Sequence, residues 1–206
     1  EFYNNHISPH FPSEYLMAAK DWDRRTDTLY YDESIFNSDT YKWVRTVSYP
    51  KETIPSTQES FEEYKEIIEI SQDEITSFVT ISAKHYSPHV AKNLVNLIIM
   101  KINGSMRSEE RDKSQRSLEF LSNQLSKTNY DELKQAIASL QENQMKALML
   151  IESNEDYVFK TIDSAISAEK KHEPKRSQIV ILFTIFGIVL SSIYVLVMHY
   201  RKNDGI

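Results

Sequence analysis

From Ile179 to Met198 the chain reads IVILFTIFGIVLSSIYVLVM, twenty residues without a charge, and nothing else in its 206 residues constrains the fold as strongly. As a helix, at 1.5 Å per residue, the run would be about 30 Å long, the thickness of a bilayer's hydrocarbon core. Fourteen of the twenty are Ile, Leu, Val or Phe. Insertion is therefore favoured by roughly 4 to 8 kcal/mol before the small penalties from Thr184, Gly187, Ser191 and Ser192. A core helix of this length would carry a polar face, and this run has none. Residues 177–200 are expected to span a membrane, with 201–206 as a short tail beyond it. Pro174, Lys175 and Arg176 mark the entry, and His199, Tyr200, Arg201 and Lys202 sit where charged heads and a ring meet lipid headgroups. Gly187 and Ser191 form a small-xxx-small pair, a spacing that would let a second transmembrane helix approach closely, although for a lone pair plain lipid exposure is the commoner reading.

Composition removes several function classes. A formal charge of -6 and the lack of a Lys/Arg stripe argue against nucleic acid as a partner, because counterion release needs a basic surface. With no cysteine there is no thiol catalysis, thiolate zinc site or disulfide framework. Three glycines leave no room for a P-loop or a dinucleotide fingerprint. No cofactor is expected.

The first fifty residues, rich in Tyr, Asp, Ser and Trp, show no long periodic stretch. Short helices and loops are expected there, packed through Trp22, Tyr30, Phe36 and Trp43. Pro50 and Pro55 bracket a connector. Ser60 to Ile70 then reads as an amphipathic helix with Phe61, Tyr64, Ile67 and Ile68 on one face. Ser77 to Ala83 alternates as a strand with Val79, Ile81 and Ala83 on one side, and Tyr157 to Ile162 reads as another. Between them Ser87-Pro88 is a helix start, and no proline follows until Pro174. A helix from Pro88 to about Lys127 would be some 60 Å long. Its first half is apolar at Val90, Leu94, Leu97, Ile98, Ile102 and Met106, so it is buried at its base, and its charged middle projects into water. Asn129 and Glu132 resemble a capping box for a second helix, in which Leu133, Ile137, Leu140, Gln144, Ala147 or Leu148, and Ile151 form a packing seam.

These residues resemble a known family. SFVTISAKHYSPHVAKNLVNLIIMKINGSMR, KSQRSLEFLSNQLSKTNYDELKQAIASLQENQMKALMLIESNEDYVFKTID and EKKHEPKRSQIVIL are similar in order and kind to the Wzz-type chain-length determinants, the polysaccharide co-polymerases of Gram-negative inner membranes. YLMAAKDWDRRTDTLYYDE and YKWVR extend the likeness over nearly the whole chain. The resemblance implies an α+β fold, with a membrane-proximal α/β base, a long projecting helix and helical hairpin, and a C-terminal transmembrane helix. It further implies a homo-oligomeric ring whose main domain is periplasmic, setting the length of O-antigen or a related lipid-linked glycan made by a separate integral-membrane polymerase. Arg107, Glu109, Glu110, Arg111 and Arg116 are then expected to pair across protomers; the bland alternative is that they keep an exposed helix soluble. Two features depart from the family. Ser164, Ser167 and Lys171 fall in its proline tract, leaving Pro174 alone and freeing φ angles. The chain also opens where the family would already be inside its periplasmic domain, so residues 1–176 are expected to be that domain, N-terminally truncated, with a transmembrane helix upstream. Such a helix would set orientation. The cation count around the final span, Lys170, Lys171, Lys175 and Arg176 before against Arg201 and Lys202 after, would alone put the large domain in the cytoplasm.

Other chemistry is weaker. His85 and His89 are four apart, but Ser87-Pro88 breaks the helix between them, so surface histidines near the helix start are expected rather than a metal site. Glu62-Glu63 and Glu109-Glu110 point about 100° apart on a helix and lie in charge runs, which disfavours acid–base pairs. The sequence reads as a non-catalytic membrane scaffold. An adaptor coupling capsule or exopolysaccharide polymerisation to export is the alternative.

Overall fold

The structure, a computed structural model, describes residues 1–154, 156, 158–170 and 176–203. It falls into two units, residues 1–167 and 168–206.

The first unit mixes helix with three two-stranded antiparallel sheets. A π-helical stretch, Tyr3–Ile7, and α1 (Ser13–Met17) lead into two hairpins, β1 (Ala19–Asp23) with β2 (Thr28–Tyr31) and β3 (Phe36–Asn37) with β4 (Lys42–Trp43). Short helices and loops were expected there, and the hairpins correct that reading. Asp27 and Tyr41 hold the left-handed backbone near the turns, at φ of 51° and 52°, so no glycine marks either turn in the sequence. Of the four expected anchors Phe36 is buried, against Tyr31 and Trp43 at ring-centroid distances of 5.3 and 5.2 Å. Trp22 and Trp43 are half-buried, while Tyr30 faces solvent because the alternation of β2 turns Leu29 and Tyr31 inward instead.

Helix α2 covers Thr57–Ile67 and begins at a capping box: the Ser56 hydroxyl accepts from the Glu59 amide while the Glu59 carboxylate accepts from the Ser56 amide. It starts earlier and ends earlier than Ser60–Ile70. The chain leaves the helix at Ile68 to form β5 (Ile68–Gln72), which pairs with β6 (Val79–Ala83), Ile70 opposite Ile81. Strand β6 starts two residues later than expected, after Ser77 takes a φ of 58° in the turn. Ile81 and Ala83 face the core as the alternation predicts, and Val79 stays exposed.

Helix α3 runs Pro88–Lys127, with the buried Ser87 hydroxyl accepting from the Val90 amide. Leu94, Val95 and Ile98 are buried near its start, and Met106 is exposed. Helix α4 (Asp131–Ser153) lies along it, joined by Gln141 Nε2 donating to Ser122 Oγ at 3.0 Å and by Arg111 with Glu152. This cover buries Ser114 inside the charged stretch, which is therefore not wholly in water. The N-cap of α4 is Tyr130, with no side-chain cap, so the Asn129–Glu132 box does not form. The less exposed positions of α4 are Lys134, Ile137, Gln141, Gln144, Ala147, Leu148 and Ile151, spaced three and four apart save for the adjacent pair Ala147 and Leu148. Leu133 and Leu140, expected on that seam, are about half exposed, one residue out of phase with it.

The core gathers Tyr3, Ile7, Phe11, Leu16, Leu94 and Ile98, with Phe61, Tyr64, Ile67 and Ile68 packed against it as the amphipathic pattern predicts. Burial raises the Tyr64 phenol to about 12, and that ring lies 4.8 Å from Tyr3. Beyond α4 the expected strand at Tyr157–Ile162 is not formed among the described residues 158–162. The side chain of Asn103 takes the place of a neighbouring strand there. In the second unit α5 spans Arg176–Asn203, enclosing the predicted 177–200.

Candidate functional site

Ile179–Leu196 of α5 is long and apolar enough to cross a membrane, with a mean hydropathy of 2.7. Two of its hydroxyls are satisfied within the helix: Thr184 donates to the Val180 carbonyl at 2.8 Å and Ser192 to that of Ile188 at 2.9 Å. In lipid, where an unmatched hydroxyl is expensive, such back-bonding removes the cost. Gly187 has open space where a Cβ would stand, and Ser191 lies one turn on along the same face, exposed. Of the predicted entry residues, Arg176 begins the helix, while Pro174 and Lys175 lie outside the described residues.

The predicted charged residues of α3 are divided between two settings. Arg111 turns to α4 of its own chain, its Nε 2.6 Å from Glu152 Oε1 and its Nη2 donating to Oε2 at 2.9 Å. Glu110 pairs with Lys113 one turn on, and Arg107 is half-buried. Glu109 and Arg116 instead line a shallow open cleft with His6, Ser105, Ser108 and Asp112. The structure thus brings Glu109 and Arg116 together and directs Arg111 elsewhere. Glu62 is engaged by Lys65 at 2.7 Å.

His85 corrects the reading of a surface histidine pair. Its Nδ1 accepts from the Ser87 amide at 3.0 Å, which leaves the proton on Nε2 to donate to the Tyr15 carbonyl at 2.8 Å. The ring is a neutral bridge between α1 and the start of α3, and its burial holds its pKa below the usual 6.5. Protonation would remove the acceptor and place a cation at the positive end of a 40-residue helix. The unfolded chain therefore takes up this proton first as pH falls below 6.5, so the stability the neutral ring contributes is full above that value and lost below it. Urea midpoints measured near pH 7.5 and about 5.5 should differ in the wild type, and the gap should narrow in His85→Gln.

His89 is exposed and belongs to another cluster. Ser167 Oγ lies 3.5 Å from its Nδ1, and Asp27 Oδ1 lies 3.8 Å from its Nε2. The residue types are those of a nucleophilic triad, but the geometry is that of a tie. The Asp27 contact is beyond hydrogen-bonding distance, both side chains are more than half exposed, and the Trp22 indole already donates to the same Asp27 oxygen at 2.8 Å. The firm contact in the cluster is Trp22 with Asp27 across the β1–β2 turn, with the indole edge against the His89 ring in the first turn of α3.

Two arrangements escaped the sequence. Asn103, 5% exposed in the middle of α3, accepts at Oδ1 from the amides of Phe159 (2.9 Å) and Val158 (3.2 Å) and donates from Nδ2 to the Phe159 carbonyl at 3.0 Å. No local signal betrays it. Arg45, after β4, forms a two-pronged pair with Glu59, Nη1 to Oε2 at 2.7 Å and Nη2 to Oε1 at 3.0 Å. Arg45 also donates to the carbonyls of Glu52 and Thr53. The guanidinium holds the Glu59 carboxyl at about 2. A signal existed in this case: Ser56-Thr-Gln-Glu59 is a capping-box string.

The chain matches no protein-family model, and it matches no curated protein. Among the described residues, what the geometry offers is an apolar helix of membrane-spanning length and a two-helix hairpin closed by polar ties.

Proposed function

We propose that the protein is a non-catalytic regulator of the chain length of O-antigen or a related lipid-linked polysaccharide, of the Wzz type. In this reading it sits in a bacterial inner membrane with its main unit in the periplasm, and several copies act as a scaffold beside a separate polymerase. The observation that carries it is the pairing of α3 with α4, two helices of 40 and 23 residues in a chain that also holds one helix fit to cross a bilayer. A long hairpin of this kind offers length and surface, the properties a scaffold needs for measuring or confining a growing polymer. The residue likeness from Ser77 to Leu182 gives that surface its assignment.

The test is genetic. In a host deleted for the gene, the full-length protein should restore a banded distribution of glycan lengths on a polyacrylamide gel. A ladder that stays unbanded with the protein present in the membrane overturns the proposal.

A further inference from the structure

Asn103-Gly104 is the one Asn-Gly pair in the chain, and it stands in the interior of α3. Glycine is the poorest helix former after proline, because it gives up the most backbone freedom on ordering. Nothing at this position asks for it: its φ is not positive, and a Cβ built on Gly104 meets nothing within 4 Å. The turn so weakened is the one from which the Asn103 side chain grips Val158 and Phe159.

Between these two residues lies a reaction that needs no enzyme. In a non-helical backbone the Gly104 nitrogen can reach Asn103 Cγ, since no Cβ on residue 104 hinders it. The N–Cγ bond forms, the Cγ–Nδ2 bond breaks, and ammonia leaves with the proton given up by Gly104. Water then opens the cyclic imide at either carbonyl. Breaking N–Cγ gives aspartate, and breaking the backbone C–N bond gives isoaspartate, whose main chain runs through Cγ. The sum is amide plus water to carboxylate plus ammonium. Burial of Asn103 is no bar, because the attacking group is the next residue's own amide. Conformation is the bar: at a helical ψ of about −42° that amide points along the axis toward the carbonyl of Met100. The amides of residues 158 and 159 hold the side chain's oxygen away as well.

We propose that Asn103 is a self-modification site, a deamidation held off by residues 158 and 159 and let go when that segment leaves α3. The same triplet, Asn103-Gly104-Ser105, spells an acceptor for N-linked glycan, but a side chain 5% exposed and bonded at both ends does not offer itself to a transferase. Either product lacks the Nδ2 donor for the Phe159 carbonyl and leaves a carboxylate in that enclosed place. Isoaspartate also adds an atom to the backbone of α3. The change is one-way, and it favours the released segment from which it arose.

Cleavage after Lys101 and Arg107 isolates residues 102–107, in which Asn103 is the sole asparagine. Mass spectrometry of that peptide reads the conversion in full-length protein incubated in membranes, with digestion in heavy-oxygen water to mark any conversion during work-up. Unfolding in urea should raise the rate at least about tenfold, since opening α3 costs free energy. Phe159→Pro deletes one amide held by Asn103 and leaves the Asn-Gly pair intact, so the folded rate should rise several-fold. Val158→Pro, which deletes the other, should act alike. Gly104→Ala, which the open space admits, should slow conversion in folded and unfolded chains. Equal rates in folded and unfolded wild type would overturn the proposal. So would folded rates unmoved by both proline variants, which would leave the guard to the helix alone. Either failure leaves the scaffold reading untouched.

Discussion

Arg45→Ala should lower stability by about 2 kcal/mol, between the cost for an exposed ion pair and that of stripping one partner from a buried one. The arithmetic starts from exposure: the two side chains are 10% and 14% accessible, so the Glu59 charge left behind is largely out of water. Lys51, 3.9 Å away and mostly exposed, is a weak substitute. The same guanidinium also holds the carbonyls of Glu52 and Thr53, so its loss frees the connector between β4 and α2 as well as the carboxylate. The sign with pH follows from the depressed carboxyl. Glu59 ionises at about 2 in the fold against 4.5 unfolded, so the stability it contributes is present above 4.5 and is lost as pH falls toward 2. Glu59→Gln should therefore unfold earlier in urea at neutral pH and show a flatter acid limb than the wild type. Steep acid unfolding that persists in Glu59→Gln would show that another carboxylate governs it.

What the sequence revealed and what it hid divide along physical lines. The start of α3 was legible because the Ser87 cap and Pro88 act on the next turn alone, and α5 was legible because twenty uncharged residues need no partner to be recognised. The end of α2 was not. Ile67, Ile68 and Ile70 suit a helix by periodicity, but Ile70 pairs across to Ile81, and a distant strand decides where the helix stops. Most of the α4 seam was legible: Ile137, Gln144, Ala147, Leu148 and Ile151 are among its less exposed positions, as their spacing predicts. Leu133 and Leu140 are the exceptions, giving way to their neighbours Lys134 and Gln141, and Gln141 donates to Ser122, a contact across helices that no local pattern announces. At the candidate site, the string from Arg107 to Arg116 was visible as charge, but its division between α4 and the cleft beside His6 depends on chain folded back from both ends.

The same logic makes Asn103 the second position where a single change should be costly. Asn103→Leu keeps the branched shape of the side chain and raises helix propensity, so a loss of stability comes from the three hydrogen bonds made to Val158 and Phe159 together with the added bulk of the two methyl groups, and exchange at those amides separates the two. Both amides would lose their acceptor and the Phe159 carbonyl its donor, at a cost of about 2 kcal/mol. The effect should be uneven. Hydrogen exchange at the amides of residues 158 and 159 should speed up far more than exchange in the α3 core around Leu94 and Ile98, because the bonds tie the returning chain to α3 and do not hold α3 together. Asn103→Asp separates the two halves of the contact, since a carboxylate keeps the acceptor for the amides but has no donor for the Phe159 carbonyl. Its amides should stay protected relative to Asn103→Leu. Unchanged exchange at 158 and 159 in Asn103→Leu would mean that the return segment is held by something other than this side chain.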